Sequence, residues 1–379
     1  MNLPGKKLVF IDKMEDLAVF VPDFEGSSRL AVDLEADSMY HFKEKVCLVQ
    51  IANQNTTIVI DTLKIKNLNC LKPLFANPEL EKVFHGSDYD VRSLYRDFKI
   101  DIHNLFDTEL ASRFLGVRET GLGAVLLNRF SVSLDKKFQK KDWSQRPLPK
   151  GMIEYGAKDV TYLLPLADIL KEELIEKDRL AWVLEECEYQ SRVRASSTDN
   201  EQLFLKVRGA GRLDRKSLAV LEQLLHYRLS KASKMNRPPF KIIGNAGLLE
   251  LAINKPVTME SLLKTNILSS RQIEIYAQGM IQSIKRAMKM PEEKLPRYPH
   301  KRMPRLKPSV TKQIEAIKKW RDQTAEKLDL DPSLLLNKAI INDIAMRHPV
   351  NPEELENING LKNWQKQVFG EDIVRILKA

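Results

Sequence analysis

Two carboxylates lie two residues apart in the apolar segment 30–36, at Asp33 and Glu35. In a β-strand this spacing sends both side chains to one face of the sheet, while Val32 and Leu34 point to the other face. Such a pair is costly to bury unless a cation neutralises it. The spacing alone is weak evidence, because about seven acid-x-acid triplets are expected by chance in a chain of this composition. Its place in a strand of buried character favours a functional pair over a solvated strand end.

A second acidic cluster, Asp88 and Asp90, follows a short predicted strand at 81–85. A helix that begins here places Asp90 in its first turn, near the carboxyl end of the strand, where open α/β sheets collect their active sites. Helix capping is an equally good interpretation of either aspartate from the local sequence. A metal ligand and a capping residue are therefore both open alternatives at this point.

Tyr155 and Asp159 form the third element, four residues apart in a predicted helix. That spacing places phenol and carboxylate on one helical face, with Cβ atoms about 5–6 Å apart. The four candidate carboxylates are hard oxygen ligands that suit Mg²⁺ or Mn²⁺ rather than zinc. They can hold two divalent ions, one to activate a water and one to stabilise the leaving oxygen of a phosphodiester. A phenol with an ordinary pKa of about 10 is a poor general base, so Tyr155 is predicted to orient that water.

The elements that must position these residues alternate between strand-like and helix-like segments, which is typical of an α/β layered fold. The first three strands are close together in sequence and predict a meander. A break or kink is expected at Pro165 within a long helical stretch. The predicted strands are 30–37, 45–52, 57–61 and 81–85, and the predicted helices are 68–77, 89–98, 107–115, 122–130 and 152–192.

An internal repeat without β-like segments occupies the C-terminal half. Pro256 aligns with Pro349, and the same offset matches a series of apolar positions without a gap. Each copy begins with an amphipathic helix, at 218–230 and 314–328, so we expect two similar all-helical domains. The intervening segment 291–308 is rich in proline and basic residues and is predicted to be a stiff, extended linker. The matched pairs include Leu248 with Ile341, Leu251 with Ile344, Ala252 with Ala345, Leu262 with Leu355 and Tyr276 with Phe369.

The composition agrees with a globular protein that binds an anionic partner. The 379 residues include 61 Lys and Arg against 51 Asp and Glu, a net charge of +10, with 43% hydrophobic residues. This excludes a disordered or collagen-like chain. Three scattered cysteines exclude a disulfide framework, a zinc ribbon and an iron–sulfur site. Without a signal-peptide core or an apolar stretch of about 20 residues, we expect a cytoplasmic protein.

Six motifs follow one another along the first half of the chain. They are Val32-Asp33-Leu34-Glu35, Cys47-Leu48-Val49-Gln50-Ile51, His85-Gly86 with Asp90 and Leu94, Asn104-Leu105-Phe106-Asp107-Thr108, Trp143-Ser144-x-Arg146-Pro147-Leu148, and Tyr155 with Asp159. In this order they resemble the motifs of the DEDDy 3′–5′ exonucleases, specifically of the ribonuclease D family, and the two repeats resemble paired HRDC domains. The resemblance covers nearly the whole chain.

This resemblance implies a set of site residues and a fold. The family spacing selects Asp90 over Asp88, and His85 is expected to serve structurally. The implied fold is α/β: a ribonuclease H-like exonuclease domain with a mixed sheet, then two all-α HRDC-type domains. Expected boundaries are 1–193 for the exonuclease domain, 208–290 and 309–379 for the helical domains, and 291–308 for the linker. The implied metal ligands are Asp33, Glu35, Asp90 and Asp159, and the implied water-orienting residue is Tyr155.

The implied activity is removal of nucleotides from RNA 3′ ends as 5′-monophosphates, with two divalent ions, Mg²⁺ or Mn²⁺, as cofactors. The implied partners are tRNA precursors and other small structured RNAs, with neither a membrane nor a partner protein. A Werner-type DNA exonuclease shares the same carboxylates and is the nearest alternative, but the paired repeats favour RNA. A noncatalytic nucleic-acid-binding adaptor is a third class of protein. It would require replacement of the acidic residues, and all four are present in this sequence.

A further group of aromatic and basic residues is predicted to contact RNA, although a charge run is often only a solvated face. These residues are Trp143 and Arg146 in the loop 136–149, Lys231, Lys234, Arg237 and Lys241 in the first repeat, and Lys301, Arg302, Arg305 and Lys307 in the linker.

Overall fold

The computed structural model describes residues 7–194, 202–299 and 306–378. Tertiary contacts divide these residues into two units. Unit 1 contains 7–36, 46–194 and 306–378, and unit 2 contains 37–45 and 202–299. None of the helices described is long and apolar enough to cross a membrane.

A mixed six-stranded sheet forms the centre of unit 1, with the strand order β1-β4-β3-β2-β5-β6. The predicted meander is confirmed, because β2, β3 and β4 pair antiparallel in succession. The pairs β1–β4, β2–β5 and β5–β6 are parallel. The first and last strands by sequence were not predicted. The strands are β1 (Lys7–Ile11), β2 (Arg29–Ala36), β3 (Val46–Ala52), β4 (Thr56–Asp61), β5 (Glu81–Phe84) and β6 (Leu105–Asp107).

Eight helices accompany the sheet in the described part of 7–194. The predicted helical stretch 152–192 is helical, but it is divided into three helices rather than kinked or broken once. The first break falls at Tyr162, and Pro165 lies in the first turn of α7. Proline is tolerated there because the N–H groups of a first turn have no intrahelical partner. The helices are α1 (Met14–Glu25), α2 (Lys72–Ala76), α3 (Asp88–Phe98), α4 (Thr108–Phe114), α5 (Leu122–Phe130), α6 (Lys150–Thr161), α7 (Leu163–Glu176) and α8 (Leu180–Ser191).

Unit 2 is a helical bundle built on the long helices α9 and α13, with the segment 37–45 packed on it. Phe42 of that segment packs against the core of the bundle, and its backbone N–H donates to Asn236 Oδ1 at 3.3 Å. The helices are α9 (Arg215–Lys234), α10 (Pro239–Ile242), α11 (Asn245–Asn254), α12 (Met259–Lys264) and α13 (Ser270–Met288).

The second helical repeat belongs to unit 1. It contains α14 (Pro308–Leu328), α15 (Pro332–Leu335), α16 (Lys338–Arg347) and α17 (Asn363–Lys378). The predicted repeat pairs are buried in both copies, as Leu248 and Ile341 illustrate. The apolar core of this repeat is continuous with the core that covers the sheet. Arg179 reinforces the junction by donating to the carbonyl oxygens of Phe114 and Leu328, at 2.8 and 2.7 Å.

Candidate active site

Strand β2 and helix α6 bring three of the predicted ligands together. Asp33 and Glu35 share one face of β2, and α6 packs against β2, β3 and β4. One carboxylate oxygen from each of Asp33, Glu35 and Asp159 can be chosen so that all three lie within 4.8 Å of one another. These distances are within the span of ligands around a single divalent ion.

Helix α3 brings the fourth predicted ligand to the edge of this group. Asp90 lies in its first turn and is 7% exposed. Asp90 is not one of the three clustered residues, but its charge raises the pKa of both Asp33 and Glu35. The neighbouring Asp88 has a different environment, because the Arg92 guanidinium donates to both of its oxygens at 2.8 and 2.9 Å. That arrangement holds the pKa of Asp88 below its usual range and points its carboxylate at Arg92.

The four carboxylates share a buried environment, which raises the pKa of each of them. Burial, followed by the charges of Asp159 and Asp90, raises the pKa of both Asp33 and Glu35 well above the usual range. Burial, with the charges of Asp107 and Asp88, raises the pKa of Asp90 to about 8. Burial raises the pKa of Asp159 to about 7.

A divalent cation fits this donor set. Within the described ranges, none of the four carboxylates forms an ion pair with a lysine, arginine or histidine. All of the donor atoms are hard carboxylate oxygens, which magnesium and manganese prefer. Binding a cation would favour the charged forms of these carboxylates, which burial disfavours.

Tyr155 is held beside the carboxylates by two aromatic rings. Its ring meets Phe138 edge-on at 5.8 Å and lies 6.0 Å from Trp143. Burial and the charge of Asp159 raise its pKa, so the phenol stays protonated at neutral pH. The next residue, Gly156, faces the amide of Gln50, which is paired with Asp33 across the sheet. A Cβ at Gly156 would lie 2.7 Å from Gln50 Nε2.

Trp143 and Arg146 require a correction, because the structure does not place them at an RNA surface. Trp143 is 1% exposed and packs in the core beside Tyr155. Both oxygens of Asp61 accept from the Arg146 guanidinium at 2.7 Å, and Arg146 also donates to the Trp143 carbonyl oxygen at 2.7 Å. Asp61 is fully buried, so this pair fixes the loop that supports the catalytic tyrosine candidate.

The other predicted RNA contacts lie in unit 2 or outside the described residues, except Lys307, which is exposed immediately before α14 in unit 1. Lys234 and Arg237 are exposed near the C-terminal end of α9, and Lys231 Nζ lies 5.7 Å from the Tyr227 ring centroid. Lys241 Nζ lies 4.2 Å above the Tyr40 ring. The structure does not describe Lys301, Arg302 or Arg305.

An open cleft of about 340 Å³ adjoins the carboxylates, and sequence reasoning did not identify most of its walls. One signal was present in the sequence, since Gly121 and Gly123 lack side chains on either side of Leu122 at the start of α5. His85 also lines it; its Nδ1 lies 2.9 Å from Thr108 Oγ1, and burial lowers its pKa. The lining includes Asp33, Tyr155, Asp159, Gly121, Leu122, Gly123, Leu134, Asp135, Lys136, Gln139 and Leu163.

Comparisons with known proteins agree with this geometry. A 3′–5′ exonuclease family model matches residues 8–175, and the HRDC domain model matches 217–284 and 311–377. Ribonuclease D of Granulibacter bethesdensis is 26% identical over 373 residues, covering 97% of this chain and 91% of that protein. The catalytic core of RRP6 from Trypanosoma brucei is 30% identical with a TM-score of 0.64, covering 76% of this chain and 81% of that one.

The fold likeness extends over both helical repeats. Escherichia coli RNase D is 24% identical and superposes with a TM-score of 0.72, covering 98% of this chain and 99% of that structure. A mixed sheet that carries clustered carboxylates, followed by two HRDC domains, defines a metal-dependent 3′–5′ exoribonuclease. The chain belongs to the ribonuclease D family.

Proposed function

We propose that this exoribonuclease hydrolyses phosphodiester bonds at RNA 3′ ends by a two-metal-ion mechanism, releasing 5′-mononucleotides, and that it processes tRNA precursors and other small structured RNAs. The observation that carries the mechanism is the convergence of Asp33, Glu35 and Asp159 within 4.8 Å, with buried Asp90 at their edge. Mg²⁺ is usually bound through one or two carboxylates, so a group of four supports two ions.

Asp33, Glu35, Asp90 and Asp159 would hold the two ions, either Mg²⁺ or Mn²⁺. When bound, such ions supply Lewis-acid polarisation of a water and of the scissile phosphate, and they stabilise the leaving oxygen. The protein contributes the arrangement: β2 supplies two ligands with a fixed spacing, and α6 and α3 each bring one more ligand to the same face. Partial burial of the ligands keeps bulk solvent from screening their charges.

Tyr155 orients the attacking water through its hydroxyl group. Its raised pKa excludes a role as the general base at neutral pH, because the phenol is then protonated. Its ring is confined by Phe138 and Trp143, so the hydroxyl is held at one place beside the carboxylates. Positioning of this kind lowers the entropic cost of reaching the transition state.

The cleft supports a single-stranded 3′ end as the substrate. It lies directly against Asp33 and Asp159, and it offers the apolar side chains of Leu122, Leu134 and Leu163 to a base or sugar. A paired end would first have to unstack to enter an opening of about 340 Å³. The net charge of +10 supports binding of the remaining RNA, with Lys231, Lys234 and Arg237 as proposed phosphate contacts.

Two observations support RNA rather than DNA as the substrate. The chain has two segments that match the HRDC domain, and its match to ribonuclease D of Granulibacter bethesdensis covers 97% of the chain. We also propose a cytoplasmic location, which the small number of cysteines, three in 379 residues, supports.

The test uses matched 3′-extended RNA and DNA oligonucleotides of one sequence, incubated with the full chain in Mg²⁺, Mn²⁺ or EDTA. We expect a ladder of shortened RNA with mononucleotide products, no reaction in EDTA and no reaction with Asp33→Asn. Asp88→Asn is the matched control, because Asp88 belongs to the same acidic stretch but is bound by Arg92, and it should remain active. Turnover by Asp33→Asn would overturn the metal-site assignment, and equal degradation of DNA would favour the Werner-type alternative.

A further inference from the structure

Asp107 accepts six hydrogen bonds from three parts of unit 1. Its Oδ1 accepts from the backbone N–H groups of Gly86 and Glu109, both at 2.9 Å, and of Leu110 at 3.3 Å. Its Oδ2 accepts from Ser87 N at 2.7 Å, Ser87 Oγ at 2.8 Å and Gln190 Nε2 at 2.7 Å. Asp107 is 1% exposed, so neutral hydrogen-bond donors of the protein take the place of water around its carboxylate.

Two of these donors belong to the turn from which α3 begins. Gly86 adopts a left-handed conformation with φ of 74°, and Ser87 is the residue before the first turn of α3. The Ser87 hydroxyl bonds Asp107 and does not cap α3, although serine at this position usually caps its own helix. The first backbone bond of the helix, Val91 N to Ser87 O at 2.9 Å, then ties Asp90 to the same turn.

The other donors fix Asp107 itself. It ends β6, where it pairs with Phe84 of β5, and it caps the start of α4 through Glu109 and Leu110. Gln190 of α8 donates to Asp107 Oδ2 and also to Ser87 Oγ at 2.8 Å. A cap for α4 needs only the two amides of that helix, so the bonds to Gly86, Ser87 and Gln190 require a separate explanation.

We propose that Asp107 is a positioning residue for Asp90, because it sets the point at which α3 begins and therefore where the Asp90 carboxylate lies relative to Asp33 and Glu35. This inference rests on the proposed function, in which Asp90 is a metal ligand. Residues that orient a ligand without touching the metal typically change metal affinity about 10- to 100-fold when altered.

Asp107→Asn tests the proposal with little change of volume. Its amide nitrogen cannot accept from Ser87 N–H or from Gln190, so the turn loses its attachment on that side. We expect the dissociation constant for Mn²⁺, measured by calorimetry on the full chain without RNA, to rise about tenfold. In EDTA, the amides of residues 87–90 should exchange hydrogen faster than in the unaltered protein, which is a readout independent of activity.

Asp214→Asn is the matched control. Asp214 caps α9 in unit 2 and accepts from Ser217 N at 2.8 Å and Ser217 Oγ at 2.6 Å, which are the same kinds of donor. It should leave the Mn²⁺ dissociation constant unchanged. Ser87→Ala removes a single donor and serves if Asp107→Asn does not fold; it should raise the constant about two- to fivefold.

Asp90→Asn, measured in parallel, distinguishes the role of Asp90 as a metal ligand from the role of Asp107 as its positioning residue. Unchanged Mn²⁺ binding and activity in Asp90→Asn would overturn Asp90 as a ligand and with it the proposed function at this residue. Weakened binding in Asp90→Asn together with unaltered binding and exchange in both Asp107→Asn and Ser87→Ala would overturn the positioning role alone.

Discussion

Trp182 and Trp364 stack face to face, with ring centroids 4.7 Å apart and an interplanar angle of 17°. Trp182 lies on α8 beside the sheet, and Trp364 lies in the first turn of α17 in the second helical repeat. Glu185 accepts from the backbone N–H groups of Asn363 and Trp364, both at 2.8 Å, and so caps α17 from outside the repeat. The second HRDC domain is therefore an integral part of the nuclease unit.

Trp364→Ala should destabilise the nuclease unit by about 3–5 kcal/mol, because it removes a buried aromatic side chain and leaves a cavity against Trp182 and Phe114. Thermal unfolding and the temperature at which exonuclease activity is lost would both report the change. The control is Arg271→Ala, at the aligned position of the first repeat, which should not alter the heat tolerance of the activity. Unchanged heat tolerance in Trp364→Ala would show that the repeat contributes nothing to the nuclease.

Tyr155→Phe should slow the chemical step about 10- to 100-fold while leaving Mn²⁺ binding unchanged. The substitution removes only the hydroxyl, and the ring keeps its packing against Phe138 and Trp143. Single-turnover hydrolysis and calorimetric titration measure the two quantities separately. Tyr162→Phe, which alters a tyrosine packed on Phe130, should retain full activity. A Tyr155→Phe enzyme with an unaltered rate would remove this hydroxyl from the mechanism.

The metal-free protein should lose stability as the pH rises from about 4 to about 8. The pKa of Asp90 is raised to about 8 and that of Asp159 to about 7, whereas unfolded aspartates have pKa values near 4. Within this window the unfolded chain binds fewer protons than the folded protein, so the free energy of unfolding falls with pH. We expect the melting temperature in EDTA to fall by several degrees between pH 5 and pH 8.

Two comparisons check the cause of that decline. Asp90→Asn should flatten it, because the amide does not ionise, and Mg²⁺ or Mn²⁺ added at pH 8 should restore the lost stability. A melting temperature that rises over the same range would contradict the raised pKa values.

Lys234→Gln with Arg237→Gln should weaken RNA binding and reduce its salt dependence. Each phosphate contact on single-stranded RNA contributes about 0.7 to the slope of log K against log salt, so losing both should reduce the slope by about 1.4. Fluorescence anisotropy at several salt concentrations, in EDTA, gives this slope. Lys264→Gln is the control, since Glu260 already pairs with Lys264 at 2.7 Å. An unchanged slope would assign the RNA contacts to other residues.

Sequence analysis predicted the elements that carry the clustered carboxylates because each has a strong local pattern. The strand with Asp33 and Glu35 is apolar on alternate positions, and α6 and α3 follow helical periodicity. β6 was missed because it has only three residues, too few for a periodicity of two to be detected. Its strand identity comes from pairing with β5, which is a tertiary property.

Trp143 and Arg146 show why the contacts of a loop are hard to predict from its local sequence. Their loop is polar and basic, which favoured a prediction of contacts with RNA. The Arg146 guanidinium instead forms an ion pair with the buried carboxylate of Asp61. A carboxylate and a guanidinium far apart in sequence give no local sign that they will meet. For the same reason the repeat pattern predicted the core of each helical domain but not the stacking of Trp364 on Trp182.

The interrupted chain path of unit 1 affects the order in which the nuclease can assemble during translation. All four candidate carboxylates have been synthesised by Asp159, but the partner of Trp182 arrives only after the whole of unit 2 has been translated. Domains generally fold as units as they emerge. A nascent chain with every catalytic group present therefore still exposes the apolar face that α17 later covers, so full stabilisation of the nuclease waits until residues 306–378 have been made.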